Sequence, residues 1–219
     1  MIEVKIETKK KREIEEIQRL FKDNLSKRSI LAGTSQAINT TMRQAATNKK
    51  SNVLMEETLK QYAIQPKDIK GTTVLLSSKP ETLEAGVKVS YKPIQLMHFN
   101  PVQKRKKTKT GKIVPDGPVE LSIIKGKPVS IPSAWIGVAK SGGITGKGTV
   151  PLVWARGKYI GKEFQWSKER MPITPLKTAS PFVMSQNKEV NIAVNEFIGK
   201  SVVDKTKRYL QEKVDKLTK

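Results

Sequence analysis

The sequence predicts an α+β fold: N-terminal helices, a β-rich middle forming a mixed or antiparallel sheet or a small sandwich, and a long C-terminal helix. Three observations predict it. Ile14, Ile17, Phe21 and Leu25 fall on one helical face, with Lys, Arg and Glu around the rest. Short β-branched and apolar runs separated by turn residues occupy the centre. Apolar residues then recur at helical spacings from Val190 to Leu217. Helices first, strands next and a helix last is α+β rather than alternating βαβ.

Ile2, Val4 and Ile6 alternate with Glu3, Lys5 and Glu7, the period of a short strand. A helix follows from about Lys9. Glu13, Glu15 and Glu16 lie early in it and Lys27-Arg28 late, agreeing with the helix dipole. Gly33-Thr34-Ser35 reads as punctuation, with Thr34 or Ser35 capping the next helix. That helix carries a narrow stripe of Ile38, Met42 and Ala45. Around Asn48-Lys49-Lys50-Ser51-Asn52 it either breaks or runs on through Val53, Glu56, Leu59 and Tyr62. Pro66 suits the first position of a short helical turn over Lys67 to Lys70, which Gly71 ends.

In the centre, Thr72 to Leu76, Gly86 to Tyr91, Pro93 to Phe99 and Val119 to Ile124 are candidate strands, with a turn at Lys125-Gly126-Lys127. Ala134 to Val138 and Pro151 to Ala155 read as buried strands around a flexible loop. Gly157-Lys158 is placed to turn the last of them back toward Phe164 and Trp166. A proline-marked passage from Met171-Pro172 through Pro175 and Pro181 leads to the last helix. Its apolar positions are Val190, Val194, Phe197, Val203, Leu210, Val214 and Leu217, and Lys213, Lys216 and Lys219 sit favourably at its C-terminus. No internal repeat is visible. The whole chain, 1–219, reads as a single domain with a flexible basic loop near 103–113 and a glycine-rich loop near 141–148.

Composition narrows the function. A chain of 219 residues with 37% hydrophobic and 28% charged residues can build a modest core. Its net charge of +22, from 42 Lys+Arg against 20 Asp+Glu, repels itself in the compact state. A negative partner is therefore expected: nucleic acid, an acidic protein surface or a membrane surface. Without cysteine there are neither disulfides nor thiolate metal ligands. No signal-peptide run opens the chain and no segment approaches the roughly 18 apolar residues of a membrane helix. A soluble, unexported protein with no membrane partner is expected.

Catalytic patterns are thin. His98 is the single histidine, and no Gly-x-Ser-x-Gly elbow offers it a nucleophile. The segment Ser141 to Thr149 departs from a phosphate-binding P-loop: Ser141 replaces the first glycine, Gly148 replaces the hydroxyl residue, and Pro151 follows too soon for a helix. The acids between Phe99 and Lys188 are Asp116, Glu120, Glu163 and Glu169, and they form no evident pair. The chain is thus expected to be no enzyme, with no catalytic residues, no metal and no cofactor. Trp135 and Trp154, among Ala, Ile, Leu and Val, read as core. The conspicuous local signal is the basic run. Lys104, Arg105, Lys106, Lys107, Lys109 and Lys112 are candidate assembly or phosphate contacts, in a loop that is either a solvated hairpin tip or ordered within an assembly. The run lacks the interleaved aromatics of single-strand binders.

Several passages, taken in order, look familiar. They are Gln36-Ala37-Ile38-Asn39-Thr40-Thr41-Met42-Arg43-Gln44-Ala45-Ala46, then Tyr62-Ala63-Ile64-Gln65-Pro66-Lys67-Asp68-Ile69-Lys70 before a strand pair. After the basic insertion come Ile131-Pro132-Ser133-Ala134-Trp135-Ile136, the stretch from Gly157-Lys158 to Met171-Pro172-Ile173, and Pro181-Phe182-Val183 before the last helix. Between about Ser29 and Lys213 this order resembles the bacteriophage minor tail protein Z, or tail-completion, family. The family often has Arg-Ala-Ala where this chain has Thr40-Thr41-Met42. The resemblance implies a virion protein, assembled in the host bacterial cytoplasm, that completes the head-proximal end of the tail so that head and tail join. It implies self-association in a ring, commonly sixfold, contacts with other tail and neck proteins, DNA near the channel, and no catalytic site. The alternative class is a basic nucleic-acid-binding protein. A tail terminator or head-closure protein is a nearer variant.

Overall fold

The computed structural model describes residues 8–49, 52–140, 149–160, 163–169 and 172–217. The strand expected at Ile2, Val4 and Ile6, the glycine-rich loop near 141–148, and the family-like positions Gly161, Lys162 and Met171 lie outside the described residues. In chain order the elements are α1 (Thr8–Leu20), α2 (Lys27–Met42) running into a π-helical turn (Arg43–Thr47), α3 (Val53–Gln61), α4 (Pro66–Ile69), β1 (Thr73–Leu76) and β2 (Gly86–Val89). A 3-10 turn (Leu96–Phe99) precedes β3 (Val102–Lys107), β4 (Ile113–Ile124), β5 (Lys127–Ile131), β6 (Ala134–Lys140), β7 (Thr149–Ile160), β8 (Glu163–Trp166) and β9 (Ile173–Pro175). Then come α5 (Pro181–Ser185) and α6 (Lys188–Leu217). Every strand pairing among the described residues is antiparallel. The fold is α+β in the predicted order. Where the sequence reads as a single domain over 1–219, the contacts cluster into two compact units: Met1–Thr58, Ile69–Tyr91 and Pro181–Lys219 form the first, Leu59–Asp68 and Lys92–Ser180 the second.

The first unit is built on α2 lying along α6. Gly33 does not punctuate the chain, because α2 runs straight through it. A Cβ there would stand 2.8 Å from Leu210 Cδ2, so the glycine lets the two helices approach closely. Ala37 and Thr41 further along α2 are fully buried, and the buried Thr34 hydroxyl is satisfied by donating to Ile30 O at 3.0 Å and accepting from Gln18 Nε2 of α1 at 2.9 Å. The α2 cap is Ser26, whose side chain accepts from Ser29 N, not Thr34 or Ser35. Lys27 and Arg28 therefore sit at the N-terminus of α2, against its dipole, rather than late in the preceding helix. The expected first helix ends at Leu20, and Phe21 and Leu25 pack with Ile30 and Leu210 across the turn that follows.

On α6 the fully or nearly buried positions are Val190, Val194, Ile198, Val202, Thr206 and Leu210, each four residues from the last. Because a helical turn takes 3.6 residues, such a line drifts by about 40° per step and sweeps roughly 200° around the helix. A fixed-face reading of the sequence picks Phe197 and Val203, which are only partly buried, and misses Ile198, Val202 and Thr206. The helical run after Met42 breaks: Asn48 is extended (φ −62°, ψ 126°), and Asn52 opens α3 by accepting from Met55 N at 2.7 Å. A two-stranded sheet, β1–β2, completes this unit, with Val87 and Val89 in the core beside Ala45, Ala46 and Leu54.

The second unit is β-rich. β3, β4 and β5 form one sheet; β7 takes β6 and β9 beside it and pairs with β8 beyond Gly157. Val119, Leu121, Ala134, Val153, Ala155 and Phe99 are among its buried positions. Three expectations change here. Pro93 to Phe99 is no strand; it makes a lone bridge at Gln95 and then a 3-10 turn closed by Asn100 at φ 49°. Gly157 is no turn, because β7 continues through it to Ile160. Trp135 and Trp154 are not core either. They are direct cross-strand partners on the half-buried face of the β6–β7 pair, because strand alternation gives the buried face to Ala134, Val153 and Ala155.

Candidate polyanion-binding hairpin

The six basic residues singled out in the sequence lie on one hairpin, and all six are exposed. Lys104 to Lys107 belong to strand β3 and not to a loop; only Thr108 to Lys112 form the connection. Side-chain and backbone bonds fix that connection. Thr108 N donates to Lys112 O (2.8 Å), Gly111 N to Thr108 O (2.9 Å) and Lys112 N to the Thr108 hydroxyl (3.1 Å). Gly111 at φ 81° supplies the left-handed residue the tight turn needs.

The ladder pairs Arg105 with Pro115, Lys106 with Val114 and Lys107 with Ile113. Alternation along the strand sends Arg105 and Lys107 to one face of the ribbon and Lys106 to the other. Asp116 is the one acid between Val102 and Val119, and Lys106 Nζ pairs with it at 2.9 Å. Both groups are about half exposed or more, so that pair is screened and leaves the ribbon strongly positive. The wider setting has the same sign. The second unit carries nineteen Lys and Arg against five Asp and Glu, which is +14 of the chain's +22.

Gln103, at the foot of the ribbon, was not evident in the sequence. Its Nε2 donates to Gly117 O (2.8 Å) and Ala134 O (3.0 Å), and its Oε1 accepts from Ile136 N (2.9 Å). One amide thus ties β3 to the irregular part of β4 and to the start of β6. The register between Gln103 and Arg105 shifts here because β4 carries Asp116, Gly117 and Pro118 opposite Lys104. A lone uncharged residue bordering a basic run is the only sequence sign of this role.

Elsewhere, His98 Nδ1 lies 2.7 Å from Asp68 Oδ1, and Asp68 is nearly buried, a partner that spacing in the sequence did not reveal. Tyr159, Phe164 and Trp166 stack edge to face, with ring centroids 5.1 and 5.0 Å apart. They line a groove of about 400 Å3 with Ile131 and Leu176. The first unit holds a cavity of about 390 Å3 between Ala46, Leu54, Ile69 and Val89, with Lys49 and Lys70 among its lining residues. Among the described residues, no three of His, Cys, Asp and Glu gather as metal ligands would. Nor, among the described residues, is any helix long and apolar enough to cross a membrane. Comparison with protein-family models, with curated proteins and with solved structures gives no match.

Proposed function

We propose that this chain is a structural subunit of a bacteriophage, prophage or phage-like particle, completing the head-proximal end of the tail so that head and tail can join. It acts by assembly and not by catalysis. One observation carries the reading: the order of the family-like passages along the chain, and the elements on which they fall. The basic insertion lies on the β3–β4 hairpin, the Ile131–Ile136 passage runs from the end of β5 into β6, and Pro181-Phe182-Val183 forms α5 directly before the 30-residue α6. The surface supports it too. Val102, Ile113, Trp166, Tyr91 and Leu217 are each more than half exposed, so apolar side chains are available on both units for contact with neighbouring subunits. In this reading sister copies form a ring on the tail axis, commonly sixfold, flanked by other tail and neck proteins, with DNA near the channel.

Particles assembled without this protein test the reading. Electron microscopy is expected to find filled heads beside finished tails that stay separate, and added purified protein should join them. Normal joined particles in its absence would overturn the proposal. Overlong tails would assign the chain to tail termination instead.

A further inference from the structure

We infer that the β3–β4 hairpin is a sequence-blind binding arm for duplex DNA, entering the major groove as a two-stranded ribbon and holding phosphates on both walls. The inference goes beyond the particle reading, since it concerns the purified chain and stands or falls without any virion.

The major groove of B-DNA, about 12 Å wide, admits a two-stranded β-ribbon. This ribbon is paired up to Lys107↔Ile113, closed by a hydrogen-bonded turn, and fixed at its foot by the Gln103 amide. Its basic side chains occupy both faces and the tip, with Arg105 and Lys107 on one side, Lys106 beside its exposed partner Asp116 on the other, and Lys109 and Lys112 at the turn. A flat acidic protein surface would engage one face and strand the other. Two phosphate walls engage both.

Composition then removes other partners. No aromatic residue lies between Val102 and Val119, so bases of a single strand find nothing to stack on here. Both ends of the Gln103 amide are committed to backbone groups and the ribbon has no Asn, so no free amide is left to read adenine, and the Lys and Arg side chains serve phosphates. Another copy of the same unit, itself at +14, adds like charge rather than balancing it. A-form RNA closes its major groove to such a ribbon.

Affinity of the full chain for a short mixed-sequence DNA duplex, followed by fluorescence anisotropy against salt, tests this. About five phosphate contacts give a log–log slope near −4.5, a loss of roughly 500-fold between about 50 and 200 mM salt. The quadruple variant Lys104→Gln, Arg105→Gln, Lys107→Gln, Lys109→Gln removes exposed charges and should fold normally. It is expected to cut that loss to roughly tenfold, the slope of the two contacts left at Lys106 and Lys112. A control with the same charge change in the first unit (Lys22→Gln, Lys27→Gln, Lys188→Gln, Lys207→Gln) should keep most of the slope. Guanine N7 atoms should be protected from methylation in the complex with the unaltered chain, and duplex RNA should compete poorly. Equal losses in the two quadruple variants, unprotected N7 atoms, duplex RNA binding as tightly as DNA, or displacement of DNA by polyglutamate at matched charge would each overturn the inference.

Discussion

Leu210 Cδ2 occupies space only 2.8 Å from where Gly33 would carry a Cβ, and Leu210 itself is fully buried. The α2–α6 seam is therefore cut to fit a missing side chain. Gly33→Val is expected to destabilise the chain by about 1–3 kcal/mol through overpacking. Combining it with Leu210→Ala should cost less than the two single changes added together, because one vacates the space the other needs. Urea denaturation of the four proteins measures this, and strict additivity would refute it.

Gly157 offers a sharper case. At φ 143° any Cβ would lie 2.1 Å from Gln165 O and within 3 Å of the Phe164 ring. Gly157→Ala should pull β8 away from β7 and cost about 3 kcal/mol or more, combining backbone strain with a clash against main chain. Because Phe164 stacks on Trp166, loss of the near-ultraviolet dichroism of Trp166 should accompany it. A variant with unchanged melting and spectrum would show that this hairpin is not held as described.

The Gln103 amide predicts an uncoupling of ribbon and sheet. Gln103→Leu strands Ile136 N, Ala134 O and Gly117 O, part of them away from water, for about 1–3 kcal/mol overall. Hydrogen exchange at Ile136 and along β3 should quicken while α2 and α6 keep their protection.

Lys205 predicts a pH dependence. Partial burial, and secondarily the nearby Arg208, lower its pKa below the ordinary 10.5. Between the lowered value and 10.5 the unfolded chain holds more protons than the folded one, so this group makes stability rise with pH in that window. Below the window, its charged form is held in the fold at a cost. Lys205→Met should lack the rise, so the unaltered chain should gain on the variant as pH climbs toward 10.5. Paired urea titrations at neutral and alkaline pH show the difference; parallel curves would refute it.

What was legible in the sequence was what repeats locally. The period of Ile14 and Ile17, Pro66 and Gly71 bracketing α4, and the β-branched run of β1 each announce their element through neighbours a few residues away. What was illegible depends on distant partners. Gly33 looks like a break until Leu210 is beside it, and Gly157 looks like a turn until Phe164 is. The α6 residues Ile198 and Val202 are masked because the buried line rotates along the helix, so no fixed face predicts them. The basic run was visible as charge. Its form as a pinned ribbon was not, since that rests on Gln103 meeting Ala134 and Ile136.

The first unit takes α1 and α2 from one end of the chain and α6 from the other. At ordinary synthesis rates, on the order of ten seconds pass after α2 emerges from the ribosome before α6 can reach it. During that interval Ile38 and Met42 have no cover from their helical mate, and a chain cut short before Val190 never acquires it. Such fragments should aggregate or be degraded, because only a chain that has reached α6 can close the core of its first unit.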